Sequence, residues 1–135
     1  MDRRLFIAGM AATIATPVLA TTGRAYQPGL VKAELAAGRT VFVDFYTDWC
    51  STCRAQERVI EGLKAGNPAY EQAISFIAVD WDIHSGSELA RSLNIPRRST
   101  LVALKGDAEI GRLVADTRAG SIKALMDAAL ASALA

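Results

Sequence analysis

The sequence contains little of what metal-binding and nucleic-acid-binding proteins require. Two cysteines and one histidine are too few for a four-ligand structural zinc site within this chain. Fifteen basic residues stand against fourteen acidic ones, and this net charge of +1 excludes the strongly basic surface of a nucleic-acid binder. The sequence also lacks internal repeats and low-complexity segments. We therefore expect no metal site and no nucleic-acid partner.

The length and composition indicate one small globular domain. The chain has 135 residues, of which 51% are hydrophobic and 21% are charged. This composition excludes a disordered tail, a collagen-like repeat and a bare coiled coil. Once an apparent leader is set aside, about 110 residues remain, which is the size of one domain.

The first 25 residues have the layout of an export signal. A short charged start precedes an apolar run at residues 5–20, and the small residues Ala20 and Ala25 both suit a cleavage site. The paired Arg3 and Arg4 resemble a twin-arginine signal, although an ordinary secretory signal also fits. The run is short for a membrane-spanning helix. We predict a signal at residues 1–25, a domain at residues 26–135, and a periplasmic location, where disulfides persist.

The hydrophobic pattern after the leader predicts alternating helices and strands. The predicted helices are residues 30–37, 50–64, 69–73, 88–93 and 121–134, and the predicted strands are residues 41–46, 74–79, 100–104 and 109–114. Alternation in the first half implies parallel strands with crossover helices, and the late hairpin adds an antiparallel edge. The predicted fold class is α/β, with a central mixed β-sheet and helices on both faces.

Cys50 and Cys53 lie where a predicted strand passes into a predicted helix. Residues three apart share one helix face, so the two sulfurs can form a disulfide or open to two thiols. A cysteine at a helix N-terminus can have a pKa of roughly 3.5 to 7.5 instead of about 8.5. We expect Cys50 to be the exposed, attacking sulfur and Cys53 to be the shielded, resolving one, as thiol–disulfide exchange requires.

Other functions for this pair remain open at this point. A structural disulfide closing about four residues would stabilise the chain by roughly 2 kcal/mol, less than the roughly 3 kcal/mol for a fifteen-residue loop. Covalent haem attachment requires a histidine after the second cysteine, where this chain has Arg54. A metallochaperone carrying copper on the two thiolates is chemically reasonable. A non-catalytic partner-binding domain is a further alternative.

Residues 43–54 read Val-Asp-Phe-Tyr-Thr-Asp-Trp-Cys-Ser-Thr-Cys-Arg, which resembles the active-site strand and loop of the thioredoxin superfamily. The likeness is greatest to periplasmic reducing members, such as the C-terminal domain of the transmembrane thiol–disulfide interchange protein, and includes Arg54 and Glu57. It implies a thioredoxin-like fold and a thiol–disulfide oxidoreductase whose redox-active disulfide, Cys50–Cys53, needs no other cofactor. The implied partners are disulfide-bearing exported proteins and a membrane thiol–disulfide electron donor, and we expect a monomer.

The resemblance also suggests roles for residues around the cysteines. Asp44 lies in an otherwise apolar strand, where burial would raise its pKa and make it a proton acceptor. The matching acid in the superfamily helps to deprotonate the second cysteine, so we expect that role of Asp44. The likeness predicts that Trp49 covers the sulfurs. Glu57 falls on the sulfur-bearing face of the helix, although an ordinary salt bridge to Arg54 or Lys64 would equally explain it.

The sequence departs from the superfamily at the position of its cis-proline. Aligning the strand from Thr100 without gaps places Ser99 there, whereas an inserted loop would make Pro96 the matching proline. We favour Ser99 and expect a trans Arg98–Ser99 bond, because a cis bond without proline costs about 2.5 to 4 kcal/mol. Arg98 and Ser99 are the predicted substrate-binding residues, and Arg97 and Arg98 would steer acidic substrates, support the thiolate or remain solvated loop charges.

The acidic residues near the pair predict the direction of electron flow. Asp44, Asp48 and Glu57 lie within seven residues of Cys50 and would oppose a thiolate there. A less stable thiolate makes a better reductant, so we expect a potential nearer about −270 mV than the strongly oxidising value of about −120 mV. The alternative is a disulfide-forming oxidase that uses the same two cysteines.

Overall fold

A computed structural model describes residues 19–20 and 23–135. Most of the predicted export signal, including Arg3 and Arg4, lies outside the described residues. No helix in this described part is long and apolar enough to cross a membrane.

The core of the molecule is a six-stranded mixed sheet with the order β1-β2-β4-β3-β5-β6. The strands are β1 (Leu19–Ala20), β2 (Gly23–Ala25), β3 (Thr40–Tyr46), β4 (Ile74–Asp80), β5 (Thr100–Lys105) and β6 (Ala108–Val114). The central strand β3 runs parallel to β4 and antiparallel to β5, and β6 completes a hairpin with β5. The predicted α/β class with a mixed sheet is confirmed.

Six helices flank the sheet. They are α1 (Leu30–Ala36), α2 (Ser51–Gly66), α3 (Ala69–Ala73), α4 (Trp81–His84), α5 (Glu88–Ser92) and α6 (Ala119–Leu134). One hydrophobic cluster joins Phe42 of β3 to Ile60 of α2 and Met126 of α6. A second cluster joins Val43 of β3 to Ala90 of α5. Helices therefore cover both faces of the sheet, as expected.

The alternation of side chains along β3 places Asp44 on the side of the sheet that faces α2. Successive residues of a strand point to opposite faces, so Asp44 shares the face of Phe42, which packs in the cluster containing Ile60 of α2. Val43 and Phe45 belong to the cluster on the other face. Both faces are buried, which explains why the strand reads as a nearly continuous apolar run.

Strand β2, which lies between β1 and β4, was missed by the sequence patterns. It pairs in parallel with β4, and the Tyr26 N–H that follows it donates to the Ala78 carbonyl at 2.9 Å. A β-carbon at Gly23 would lie 2.3 Å from the Phe76 carbonyl oxygen, so only glycine allows this close approach. Five residues of the predicted signal segment, in β1 and β2, are thus part of the sheet, and cleavage after Ala25 would remove them.

Candidate active site

The two cysteines lie at the N-terminus of α2, directly after β3. Cys50 is the N-cap residue of α2, with extended backbone angles of φ −90° and ψ 114°. Its sulfur accepts a hydrogen bond from the Cys53 N–H at 3.2 Å. The leading cysteine therefore occupies the position where unsatisfied helix N–H groups favour an anion, as its spacing predicted.

Both sulfurs are free thiols, and both are largely covered. Cys53 is 0% exposed, as expected for the shielded partner, but Cys50 is only 4% exposed. The prediction that Cys50 is exposed was wrong, because the residue is almost completely buried. The loop before β5 accounts for the difference, since its Ser99 side chain lies against the Cys50 sulfur.

Ser99, rather than Pro96, lies beside the cysteines. Its hydroxyl oxygen is 3.2 Å from the Cys50 sulfur and 3.0 Å from the Cys53 sulfur. Ser99 is 0% exposed, whereas Pro96 is exposed. No cis peptide bond occurs among the described residues, so the Arg98–Ser99 bond is trans. The structure therefore has the register in which Ser99 stands at the position of the superfamily's proline.

The backbone of Ser99 is fully engaged within the protein. Its N–H donates to the Phe45 carbonyl at 2.7 Å, and its own carbonyl accepts from the Ala115 N–H at 2.8 Å. The Gln56 side-chain amide donates to the same carbonyl at 3.0 Å. Both lone pairs of that carbonyl are thus used, so this backbone cannot pair with a substrate unless internal bonds break. The polar contribution of Ser99 to the site is its hydroxyl.

Gln56 is a site residue that the sequence analysis missed. It is fully buried on α2, one turn after Cys53, and its amide also donates to the Asp116 carbonyl at 3.1 Å. Gln56 therefore ties the Ser99 loop to the segment that follows β6. The only signal in the sequence was its place three residues after Cys53, on the same helix face.

The hydrogen bonds at the site separate the pKa values of the two thiols. Burial alone raises the pKa of Cys50, but hydrogen bonds from Cys53, Ser99 and Arg98 outweigh it and lower that pKa from 9.0 to about 7. Burial and the hydrogen bond with Cys50 raise the pKa of Cys53. Near neutral pH a substantial fraction of Cys50 is therefore ionised, while Cys53 keeps its proton.

Trp49 and Arg98 form a stacked pair next to Cys50. The Arg98 guanidinium lies 4.3 Å from the centre of the Trp49 ring, and the indole N–H donates to Asp82 at 2.9 Å. Trp49 is 59% exposed, so it offers an aromatic surface to solvent rather than the predicted cover for the sulfurs. Arg98 also helps to lower the pKa of Cys50, in line with one of the predicted alternatives.

The acidic residues predicted near the pair gather around Tyr46, at the end of β3. Burial, followed by the charges of Asp80, Asp48, Asp44 and Glu57, raises the pKa of Tyr46 to about 12. Asp44 itself is 1% exposed, which places a carboxyl group inside the protein as expected. Arg54, a predicted partner for Glu57, donates to the Asp48 carbonyl at 2.7 Å.

The described residues contain no cluster of three or more histidine, cysteine, aspartate or glutamate side chains that could hold a metal ion. What the geometry does offer is a nucleophilic sulfur next to a second sulfur that can attack the mixed disulfide formed by the first and release its substrate. That arrangement performs thiol–disulfide exchange.

Comparison with known proteins agrees with this chemistry. The family model for thioredoxin matches residues 18–128. The chain belongs to the thioredoxin family. It is 31% identical to mitochondrial thioredoxin-2 of Schizosaccharomyces pombe over 86 residues, which cover 64% of this chain and 60% of that protein. It is 28% identical to a Mycobacterium tuberculosis thioredoxin over 94 residues, which cover 69% of this chain and 77% of that protein.

A solved structure shows the same fold. The thioredoxin-like protein Trxlp from Edwardsiella tarda superimposes with a TM-score of 0.64 at 27% identity, covering 74% of this chain and 94% of that one. Membership of the family, together with the Cys50–Cys53 pair, identifies the protein as a thiol–disulfide oxidoreductase. The finer likeness to periplasmic reducing members stays a prediction.

Proposed function

We propose that this thioredoxin-family protein is exported and reduces disulfides of other exported proteins. The observation that carries the proposal is the pairing of a Cys50 thiol, whose pKa is lowered to about 7, with a fully buried Cys53, whose pKa is raised. One sulfur is thus ready to attack near neutral pH, and the other keeps its proton until it is needed.

The cycle requires only the two sulfurs of this chain. The Cys50 thiolate attacks a substrate disulfide, forming a mixed disulfide and releasing one substrate thiol. Cys53 then loses its proton to Asp44 and attacks the Cys50 sulfur, which releases the second substrate thiol and leaves the Cys50–Cys53 disulfide. Two electrons pass to the substrate, and a membrane thiol–disulfide electron donor returns them. No further cofactor enters the cycle.

The extent of thiolate stabilisation favours a reductant over an oxidase. A stabilised thiolate stabilises the reduced form and therefore makes the protein more oxidising. A pKa of about 7 for Cys50 equals the value typical of thioredoxin, whereas strongly oxidising relatives reach about 3.5. Burial of Cys50 opposes any further lowering of its pKa.

Export is supported by the leader sequence, and the sheet favours one of its two cleavage sites. Cleavage after Ala20 keeps β2 and its pairing with β4, whereas cleavage after Ala25 removes that strand. We expect the mature protein to begin at Thr21. Mass spectrometry of the protein recovered from the periplasm of a bacterial host measures this directly, and a protein that stays full-length in the cytoplasm would contradict export.

Equilibration with glutathione buffers tests the direction of electron flow. We expect a potential near about −270 mV, and a value above about −150 mV would show an oxidase instead. A Cys53→Ala variant should trap substrates and the electron donor as mixed disulfides on Cys50, and the double variant lacking both cysteines is the matched control. Stoichiometric Cu(I) binding without reduction of insulin would contradict the proposal in favour of a metallochaperone.

A further inference from the structure

One hydroxyl group lies within hydrogen-bond distance of both reactive sulfurs. The Ser99 oxygen is 3.2 Å from the Cys50 sulfur and 3.0 Å from the Cys53 sulfur, and the residue is fully buried. A serine hydroxyl has one proton to donate and two lone pairs that accept. It can therefore donate to only one of the two sulfurs at a time, and turning about its C–O bond is enough to change which one.

We propose that Ser99 is a catalytic residue whose hydroxyl donates its one hydrogen bond first to Cys50 and then to Cys53 during the reaction. This inference rests on the proposed exchange cycle and adds a step within it. In the dithiol form the hydroxyl donates to the Cys50 thiolate. In the mixed disulfide Cys50 carries no charge, so the hydroxyl turns to Cys53.

The balance of protons and electrons in the cycle is unchanged by this movement. The serine keeps its proton throughout, and the Cys53 proton still leaves to the carboxylate of Asp44. The hydroxyl stabilises whichever sulfur carries the negative charge at each step, because hydrogen bonds to ionised groups are stronger than those between neutral ones. Attack by Cys50 and resolution by Cys53 thus share one donor.

The surrounding structure holds the hydroxyl between the sulfurs. Ser99 has a φ of +63°, a conformation that is uncommon for residues other than glycine. Its N–H is bound by Phe45, and its carbonyl is bound by Gln56 and Ala115. These bonds hold the backbone in a conformation that places the hydroxyl within hydrogen-bond distance of both sulfurs.

Two variants remove the hydroxyl in different ways. Ser99→Ala keeps the β-carbon, and Ser99→Gly suits the positive φ, so that at least one of them folds without added strain. Thr100→Val is the matched control, because it removes a neighbouring buried hydroxyl that donates to the Arg97 carbonyl at 2.7 Å and not to a sulfur.

The two chemical steps are measured separately over a range of pH. Iodoacetamide reports attack by Cys50. Stoichiometric methyl methanethiosulfonate places a methylthio group on Cys50, and acid quenching with mass spectrometry then follows its release by Cys53. For both Ser99 variants we expect the midpoint of Cys50 alkylation to rise by about one pH unit and the release at neutral pH to slow about tenfold. Thr100→Val should change neither.

Each other result overturns the proposal. A slower attack with unchanged release would show that the hydroxyl serves Cys50 alone, and a slower release with unchanged attack would show that it serves Cys53 alone. Unchanged profiles for both steps would show that it serves neither. If the Cys53→Ala variant formed no methylthio adduct on Cys50 and no mixed disulfide with a protein substrate, the proposed function itself would fail.

Discussion

Arg98 stabilises the Cys50 thiolate and packs on the exposed ring of the neighbouring residue Trp49. Its guanidinium lowers the pKa of Cys50 and stacks on Trp49 at 4.3 Å. Removing the charge should raise that pKa, while removing the bulk should uncover a sulfur that is only 4% exposed. The raised pKa slows alkylation at low pH, whereas the uncovered sulfur reacts faster at any pH. Measuring the rate over a range of pH therefore separates the two effects.

We therefore expect Arg98→Ala to shift the midpoint of Cys50 alkylation upward from about 7. The variant should react several-fold more slowly than wild type below that midpoint. It should react faster than wild type at about pH 9.5, where the Cys50 sulfur is ionised in both proteins. Arg97→Ala, one residue away, is the control. An unchanged midpoint would show that Arg98 does not support the thiolate.

Asp44 is the residue expected to accept the Cys53 proton. Asp44→Asn keeps the size of the buried side chain but removes the base, so release of substrate from the mixed disulfide should slow by about 100-fold at neutral pH. Alkylation of Cys50 should change much less, because that step needs no acceptor for the Cys53 proton. Equal slowing of both steps would argue that Asp44 has only a structural role.

Local motifs predicted the reactive residues but not everything that surrounds them. The Cys50–Cys53 spacing and the acid in β3 are visible over ten residues of sequence. The position of Ser99 required a comparison with the superfamily, and its contact with both sulfurs spans more than 45 residues. Gln56 gave almost no signal, because its hydrogen bonds join segments 43 and 60 residues away. The burial of Cys50 was also missed, because the Ser99 side chain that covers its sulfur is distant in the sequence.

Elements with strong periodicity or clear ends were predicted well. Helix α3 (Ala69–Ala73) has the predicted bounds, and Gly38, with a φ of +83°, follows α1 as expected of a helix end. The missed elements are short. Strand β2 has three residues and exists through its pairing with β4, while α4 has four residues and is capped by the Asp80 side chain. Neither is long enough for a periodic pattern to appear.

The close approach of β2 to β4 gives a test at the scale of a single element. In Gly23→Ala the new β-carbon would lie 2.3 Å from the Phe76 carbonyl oxygen, so the two strands must separate. We expect the free energy of unfolding to fall by roughly 1–3 kcal/mol in urea titrations. Gly62→Ala, inside α2 with no atom in the way, should instead gain roughly 0.5–1 kcal/mol. A neutral effect at Gly23 would contradict the observed pairing.

At the scale of the whole molecule, the lowered pKa of Cys50 links stability to pH in the dithiol form. The folded thiol ionises near pH 7 and the unfolded one near pH 9, so the ionised group stabilises the fold fully above about pH 9 and contributes nothing below about pH 7. Relative to Cys50→Ser, we expect the free energy of unfolding to rise by about 2–3 kcal/mol between these limits.

Chemical denaturation of the reduced protein at a series of pH values measures this difference. The gain should stop growing above about pH 9, because Cys50 is then ionised in both the folded and the unfolded protein. A flat difference between wild type and Cys50→Ser across pH 7 to 9 would be incompatible with a stabilised thiolate. The oxidised protein, which has no ionisable thiol at this position, serves as an internal reference.

The sulfur of Cys50 also accepts the N–H of Cys53 at the first turn of α2. A thiolate is a strong acceptor, whereas a sulfur that has entered a disulfide carries no charge and accepts weakly. Each oxidation therefore weakens this hydrogen bond but joins the same two residues by a covalent bond, and each reduction restores the charged acceptor. A partner protein that contacts the first turn of α2 would meet a negatively charged sulfur in the reduced form and a neutral disulfide in the oxidised form.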